Sequence, residues 1–258
     1  MRLMYIPLVI SFMFANILAN NFYDNRIEKL FPSSSVVIKY QEEWQVDLYK
    51  KRIENFKNNP IGYDKIVLLG NSITEGGGDW NKKLNAENVV NRGISGDITD
   101  GILNRLEEIV YFRPIAVFLL IGINDIFNSD KPEQDKVTVK YVTNNIIEIA
   151  DRIKSKSPKT QVYIQTVLPI NRELFFESAG YFPEHKIPLN IQIIEINKII
   201  KNIASQRNHQ FLNLHTAFID DKGSLSSEYT TDGVHLNDNG YSLWAELLIK
   251  HIRVLNNN

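Results

Sequence analysis

The feature that most constrains the fold of this chain is an alternation, from about residue 65 onwards, of short apolar runs with longer amphipathic segments. The clearest run is Ile115 to Ile121, in which all seven residues are apolar. A short run without a polar face is typical of a strand that is buried on both sides. On this basis we predict five strands, at residues 65–69, 88–91, 115–121, 161–166 and 210–213.

The segments between these strands carry apolar residues at helical spacing, most clearly at residues 102–110, 142–153 and 193–203. Apolar strands that alternate with amphipathic helices predict a parallel sheet covered on both faces, which places the chain in the α/β class. Ligands of such sheets bind beyond the carboxyl ends of the strands. The polar turns after the first three predicted strands all fall on that edge.

Residues 1–19 have a different character. Arg2 precedes an apolar stretch that ends at Ala19, a pattern typical of a secretory signal peptide. Pro7, Ser11 and Asn16 interrupt the stretch, so we expect no stable membrane span. The pattern predicts export, to the periplasm or out of the cell, and leaves open whether the segment is cleaved or retained as an anchor.

Residues 20–60 form an N-terminal extension ahead of the main domain, which we place at residues 61–258. Trp44, Leu48, Ile53 and Phe56 recur among charged residues and predict a helix over residues 41–59. We expect this helix to pack on the outside of the domain.

Composition narrows the functional classes. The chain has 29 basic and 30 acidic residues, a net charge of −1, which gives no electrostatic reason to expect nucleic acid as a partner. It has no cysteine, so disulfides, a lipid-modified cysteine, thiol nucleophiles and thiolate metal sites are excluded. A neutral or weakly polar small molecule is the expected substrate, and no sequence feature indicates an oligomeric state.

Ser72 directly follows the first predicted strand, in the turn Gly70-Asn71-Ser72-Ile73. A hydroxyl here projects over the carboxyl edge of the sheet, near a helix N-terminus that stabilises negative charge. A structural role competes with this interpretation, because Ser72 and Glu75 match the Ser-x-x-Glu capping box. Taken alone the cap is the commoner role, and it is the other residues on this edge that favour a nucleophile.

His235 is the histidine best suited to activate a serine. An alcohol needs a base that removes its proton during attack, and Asp232 precedes His235 by three residues in a glycine-containing loop. At that spacing the carboxylate can accept a hydrogen bond from Nδ1 and fix the tautomer. The remaining histidines are less suited to this role. We expect His209 and His251 to lie on the solvated surface, His185 to lie in a polar-aromatic loop where nothing nearby orients it, and His215 to make a structural hydrogen bond.

Two further turns supply hydrogen-bond donors. Attack on an ester builds negative charge on the carbonyl oxygen, which preorganised donors must meet. Gly96 can offer a backbone N–H, Asn124 a side-chain amide, and Ser72 its own N–H. Each is also an ordinary turn residue, but three such turns on one sheet edge together predict an oxyanion hole.

In these motifs the chain resembles the SGNH (GDSL-like) hydrolase family of esterases and lipases, over roughly residues 61–253. In type it is most similar to the family's exported carbohydrate O-acetylesterases. The resemblance implies a flavodoxin-like three-layer α/β/α sandwich with a central parallel five-stranded sheet. It places the nucleophile at Ser72, the oxyanion donors at Gly96 and Asn124, and the remaining catalytic residues at Asp232 and His235. Acyl transfer by these residues requires no cofactor and no metal.

One position departs from the family pattern. Asn71 stands where the family has the aspartate of Gly-Asp-Ser, which removes a charge beside the nucleophile. We include it among the candidate substrate-binding residues, together with Asn171, Phe175 and Tyr181 in the segment after the fourth strand. Aromatic faces there suit sugar rings or acyl chains.

Expected export, near-neutral charge and the family resemblance favour O-deacetylation of a carbohydrate, such as sialic acid or a polysaccharide. A lysophospholipase or acetylhydrolase acting on a lipid-like ester is the alternative, as is a catalytically silent carbohydrate-binding relative. The glycines at residues 76–78 superficially match a phosphate cradle, but they lack the Gly-Lys-Ser/Thr ending of a P-loop. Nucleotide binding is therefore not favoured.

Overall fold

The computed structural model describes residues 26–127, 129 and 132–256, and its centre is a parallel five-stranded sheet. The strands run in the order β2-β1-β3-β4-β5, and each end lies within two residues of its predicted place. Their bounds are Ile66–Gly70 for β1, Val89–Gly93 for β2, Ala116–Leu120 for β3, Gln161–Gln165 for β4 and Gln210–Leu212 for β5.

The described helices lie between and around these strands. In chain order they are α1 (Glu43–Asn58), α2 (Ser72–Gly76), α3 (Trp80–Leu84), α4 (Thr99–Asn104), α5 (Glu107–Phe112), α6 (Ile123–Phe127), α7 (Val139–Lys156), α8 (Arg172–Ala179), α9 (Leu189–Gln206), α10 (His215–Phe218) and α11 (Asp238–Asn256), with a short 3₁₀ turn at Pro132–Gln134. Helix α7 packs against α4 and α9, whereas α11 packs against α3. The predicted α/β class and the flavodoxin-like three-layer sandwich are confirmed.

Burial explains why the central strands carry no polar face. Every residue of β1 and β3 is buried, so an alternating pattern would place polar groups in the core, where they cost free energy unless they are paired. The aromatic rings of Phe118 on β3 and Tyr163 on β4 stack with their centroids 4.4 Å apart. These strands hold the sheet's carboxyl edge rigidly in place.

Strand order fixes the location of the site. The chain leaves β1 with β2 on one side and β3 on the other, so the connections on either side of β1 run to opposite faces of the sheet. A crevice opens at the carboxyl ends where the strand order reverses. The turns that contain Ser72, Gly96 and Asn124 follow the three strands that meet there.

The N-terminal segment is more closely integrated than we predict from the sequence. Helix α1 buries Gln45, Tyr49, Ile53 and Phe56, while Trp44 remains 55 % exposed. The helix packs on the domain through these residues, and its first turn also reaches the crevice beside β1. Ile53 and Phe56 are buried, whereas Trp44 and Leu48 of the same apolar pattern are exposed.

No helix in the described ranges is long and apolar enough to cross a membrane. The predicted signal peptide, at residues 1–19, lies outside the described residues, so it stays a prediction.

Candidate active site

Ser72 is the first residue of α2, and the side chain that caps this helix belongs to Asn71. Asn71 Oδ1 accepts a hydrogen bond from the backbone N–H of Ile73 at 3.0 Å. Glu75 forms no capping box with Ser72, because its carboxylate accepts from the N–H and the Oγ–H of Ser95 at 2.6 and 2.7 Å. The capping role considered for Ser72 is therefore wrong, and its hydroxyl is available for another partner.

That partner is His235. Ser72 Oγ lies 3.0 Å from His235 Nε2, and His235 Nδ1 lies 2.6 Å from Asp232 Oδ2. The hydroxyl and the imidazole belong to residues 163 positions apart, brought together only by the fold. A serine, a histidine and an aspartate in a continuous line of hydrogen bonds can deprotonate the hydroxyl and stabilise the resulting imidazolium.

The environment of Asp232 keeps it ionised. Burial alone raises its pKa, but hydrogen bonds from the His235 ring and from the backbone N–H groups of His235 and Val234 outweigh this effect and lower the pKa to about 2. One oxygen, Oδ1, accepts the two backbone hydrogen bonds at 2.7 and 2.9 Å. The other oxygen is thereby directed at the imidazole.

A glycine is needed in the loop that carries these two residues. Gly233 has φ +85°, and a Cβ there would come within 2.2 Å of the backbone oxygen of Asn171. The carbonyl of Gly233 accepts from the Asn171 N–H at 2.8 Å, and Thr230 Oγ1 accepts from the Gly233 N–H at 2.9 Å. The loop is therefore fixed from both sides before it reaches His235.

The predicted oxyanion donors Gly96 and Asn124 line the same cavity as Ser72, the third donor, and His235. Gly96 has φ +77°, which turns the chain after β2. The amide of Asn124 donates one N–H to the backbone oxygen of Asp97 at 2.9 Å, and its second N–H has no acceptor among the described residues. These groups can meet an oxygen that becomes negative next to Ser72.

Buried charges hold the donor turns in position. Arg105 pairs with Asp97 at 2.8 Å and also donates to the last carbonyl of β1, at Gly70, at 3.1 Å. Burial raises the pKa of Asp97, and the guanidinium opposes that rise. One ion pair thus ties the turn after β2 to the turn that leads into Ser72.

Asp125, next to Asn124, has no cationic partner among the described residues. Its carboxyl accepts from the N–H of Thr99 at 3.1 and 3.2 Å and from the Thr99 hydroxyl at 2.5 Å. Burial raises its pKa to about 7 against these hydrogen bonds. This contact ties the turn after β3 to the start of α4.

The cavity over Ser72 has a volume of about 650 Å³. Two of the predicted substrate-binding residues, Phe175 and Tyr181, line it. The cavity is also lined by five residues for which the sequence predicts no role in the site: Glu42, Trp44, Ser95, Phe127 and Val234. Phe127 packs edge-to-face on Phe175, with ring centroids 5.1 Å apart. Four aromatic side chains, Trp44, Phe127, Phe175 and Tyr181, thus lie around the polar line of Ser72 and His235.

The other two predicted substrate-binding residues, Asn71 and Asn171, do not line the cavity, so the prediction for them is wrong. Asn71 is fully buried and caps α2. Asn171 caps α8 by accepting from the Leu174 N–H at 3.1 Å, and it donates to the Leu225 carbonyl at 3.0 Å. Each asparagine accepts a backbone hydrogen bond through its Oδ1, which is the usual role of asparagine at a helix N-cap.

The remaining four histidines lie away from the cavity lining. His209, expected on solvated surface, has a side chain that is only 1 % exposed, and its Nε2 lies 2.8 Å from Asp151 Oδ1. That expectation is wrong, because the ring is buried and hydrogen-bonded to Asp151, a residue 58 positions away in the sequence. Within the described ranges, no group of three or more histidines, aspartates and glutamates is arranged to hold a metal ion.

The fold and the site together define a flavodoxin-like α/β protein with a serine, a histidine and an aspartate in line at the carboxyl edge of its sheet. The chain belongs to the GDSL-like Lipase/Acylhydrolase family, whose model matches residues 68–243. The resemblance to SGNH hydrolases is thereby confirmed. Membership of this lipase and acylhydrolase family makes the protein a carboxylic ester hydrolase.

Individual relatives differ in what their names describe. The chain is 28 % identical over 233 residues to an N-acylneuraminate cytidylyltransferase of Escherichia coli O18:K1:H7, an alignment that covers 85 % of this chain and 48 % of the relative. It is 24 % identical over 184 residues to the human platelet-activating factor acetylhydrolase IB subunit alpha1, covering 69 % and 71 %. The chain thus spans about half the length of the first relative.

A solved structure shares the fold. It is a mutant of Axe2, an acetyl-xylooligosaccharide esterase from Geobacillus Stearmophilus, with a TM-score of 0.59 and 21 % identity. The match covers 74 % of this chain and 95 % of that one.

Proposed function

We propose that this protein hydrolyses carboxylic esters through an acyl-enzyme on Ser72, with His235 as the base and Asp232 as its partner. The observation that carries the proposal is the line of hydrogen bonds from Ser72 Oγ through both ring nitrogens of His235 to Asp232, at 3.0 and 2.6 Å. The line lies at the switch point of the sheet, where substrates of this fold class bind.

In the first step, Ser72 Oγ attacks the ester carbonyl while His235 Nε2 takes its proton. The carbonyl oxygen becomes negative and receives hydrogen bonds from the N–H groups of Ser72 and Gly96 and from the Asn124 amide. The imidazolium then protonates the departing alcohol, which leaves the acyl group on Ser72. Asp232 remains ionised throughout, because its pKa of about 2 lies far below neutral pH.

In the second step, water takes the place of the alcohol. His235 removes a proton from the water as it attacks the acyl-enzyme, and the same donors hold the second oxyanion. The proton then returns to Ser72 Oγ, which releases the acid and restores the starting state. The transfers between Ser72 and His235 use atoms that are already 3.0 Å apart.

We propose an O-acetylated carbohydrate, such as sialic acid or a polysaccharide, as the substrate. An open cavity of about 650 Å³ with aromatic walls accommodates a sugar ring. The name of the Escherichia coli relative refers to N-acylneuraminate, and Axe2 is an acetyl-xylooligosaccharide esterase. Both names support a sugar as the part of the substrate that carries the ester.

A lipid-like ester is the second candidate. It is favoured by the 24 % identity to a platelet-activating factor acetylhydrolase and by the exposed ring of Tyr181 in the cleft. A catalytically silent carbohydrate-binding protein is less well supported, because a binding protein has no need of a serine hydroxyl aligned with an imidazole and a carboxylate.

The test measures acetate release from O-acetylated sialic acid and acetyl-xylan, and hydrolysis of an octanoyl ester, by the full chain and by Ser72→Ala. We expect Ser72→Ala to lower kcat by at least about 10⁴-fold on every substrate that the wild type hydrolyses. Ser242→Ala, on the exposed side of α11, serves as the matched control and should behave as wild type.

A fluorophosphonate probe adds a readout that is independent of the substrate, because it labels only an activated serine. It should label the wild type and Ser242→Ala but not Ser72→Ala. Wild-type turnover by Ser72→Ala would overturn the serine mechanism. A preference for the octanoyl ester over both acetylated sugars would replace the sugar assignment with the lipid-like one.

A further inference from the structure

One wall of the cleft comes from α1, which lies outside the part of the chain that matches the family, residues 68–243. Glu42, the N-cap of α1, and Trp44, in its first turn, line the cavity together with Ser72 and His235. The helix is docked on the domain by Tyr49 Oη, which donates to the Gly101 carbonyl at 3.0 Å. This wall is therefore a fixed part of the cleft.

Trp44 is a large apolar side chain that does not pack in the core. Its side chain is 55 % exposed, and the stripe of α1 that packs on the core lies on neighbouring positions of the helix. Its six-membered ring lies over Gly96, because a Cβ on that glycine would come within 2.9 Å of two ring carbons. The ring thus extends into the cleft from one of the proposed oxyanion donors.

The orientation of the ring is also fixed. Trp44 Nε1 donates a hydrogen bond to Glu42 Oε2 at 2.9 Å, and Gln134 Nε2 lies 3.4 Å from the other carboxylate oxygen. An exposed aromatic ring that is held in one orientation loses little conformational entropy when a ligand packs on it. The flat face is therefore prepared for a contact.

A sugar ring matches both groups, because it has a flat face of C–H groups and an edge of hydroxyls. The C–H face can pack on the indole, while hydroxyls can donate to the Glu42 carboxylate. An acyl chain matches less well, since it would remove water from a carboxylate without offering a hydrogen bond in return. The pair of side chains thus distinguishes between the two candidate substrate classes.

We propose that Trp44, with Glu42 beside it, is the subsite that stacks on the sugar ring of the substrate and is a determinant of specificity. This inference rests on the proposed function, since it assumes that the ester is carried by a sugar. It assigns selection of the sugar to the N-terminal helix and leaves the bond-breaking chemistry to the strand-end turns.

The test compares the full-length wild type with Trp44→Ala and Trp44→Phe, using an acetylated xylose and ethyl acetate, which has no ring. We expect Trp44→Ala to lower the ratio of kcat/KM for the sugar acetate to that for ethyl acetate by roughly 10-fold, mostly through KM. Trp44→Phe should restore most of the ratio, because it keeps a flat face. Leu48→Ala, one turn further along α1 and outside the cleft lining, is the matched control and should leave the ratio unchanged.

Thermal unfolding of each variant detects a loss of folding. An equal loss on the two esters would show that the ring merely supports the Gly96 turn, and no loss on either would show that the substrate does not contact it. The octanoyl ester is assayed with the same variants, and a loss confined to it would place an acyl chain on the ring. Each of these results overturns the subsite.

Failure of the proposed function gives a different result. If the wild type hydrolyses ethyl acetate in a Ser72-dependent way but no acetylated sugar, the sugar assignment and the subsite both fall, while the serine mechanism stands. If Trp44→Ala leaves the ratio intact on a sugar that the wild type does hydrolyse, only the subsite falls.

Discussion

The two sides of the active-site cleft differ in how their residues are held. On the strand-end side, Gly96 and Asn124 lie in turns that are fixed by buried carboxylates, Asp97 with Arg105 and Asp125 with Thr99. On the rim, Trp44 and Tyr181 are more than half exposed. The reacting groups need positions set to fractions of an ångström, whereas the rim needs only to offer a surface. The chemistry and the choice of substrate are therefore separable by mutation.

The largest effect on kcat is expected from a substitution at Asp232, the hydrogen-bond partner of His235. Asp232→Asn keeps the shape of the side chain but removes the charge that stabilises the imidazolium and the acceptor that fixes its tautomer. We expect kcat to fall by about 10⁴-fold on every ester, measured by steady-state kinetics. A loss limited to sugar esters would mean that Asp232 serves binding and that our division of the cleft is wrong.

A smaller effect is expected at Asn124. Asn124→Ala removes one proposed oxyanion donor and should lower kcat by about 10²- to 10³-fold. Because the oxyanion forms on every ester, the loss should be the same for ethyl acetate and for an acetylated sugar, in contrast to Trp44→Ala. Kinetics on both esters check this. A loss that appears mainly in KM, or on one ester alone, contradicts the assignment.

The smallest effect on activity is expected at Asp125. Here the prediction concerns the free energy of unfolding and its dependence on pH. Its pKa is raised from about 4 in an unfolded chain to about 7 in the folded protein. The folded state therefore holds the proton more tightly, and this contribution to stability is complete below pH 4 and is lost as the pH rises through 7. The side chain of Asp125→Asn does not titrate, so the stability of this variant lacks the pH-dependent contribution of Asp125.

The free energy of unfolding of the wild type, relative to Asp125→Asn, should accordingly fall between about pH 4 and pH 7 by at most about 1.4 kcal/mol per pH unit. Urea unfolding of both proteins at several pH values measures the difference. A constant difference over this range would show that Asp125 is ionised in the folded state.

The sequence predicts the sheet well because burial on both faces leaves a local pattern. Wherever the strands are apolar throughout, as at residues 115–121, neighbouring residues alone specify the element. Ser72, Gly96, Asn124 and His235 are likewise predictable, since they occupy polar turns at fixed places relative to those strands. The structure brings all four to one cavity.

The rim could not be predicted in the same way, because it depends on contacts between distant parts of the chain. Trp44 reads as one more apolar residue of a helix until the helix is seen docked beside Gly96. The prediction that Asn71 and Asn171 bind substrate was wrong for a related reason. A polar residue beside the candidate nucleophile, or in the segment after the fourth strand, fits substrate binding from the sequence. In the structure, however, backbone N–H groups of α2 and α8 donate to the Oδ1 atoms of both side chains.

The hydroxyl of Tyr241, on α11, donates to the backbone carbonyl of Ile73 at 3.0 Å. This bond fastens the last helix of the chain to the short helix that begins with the nucleophile. A molecule with a finished sheet but an undocked α11 would keep its serine and lose the neighbouring imidazole. Under the proposed mechanism, ester hydrolysis therefore depends on the docking of the C-terminal helix as well as on the sheet.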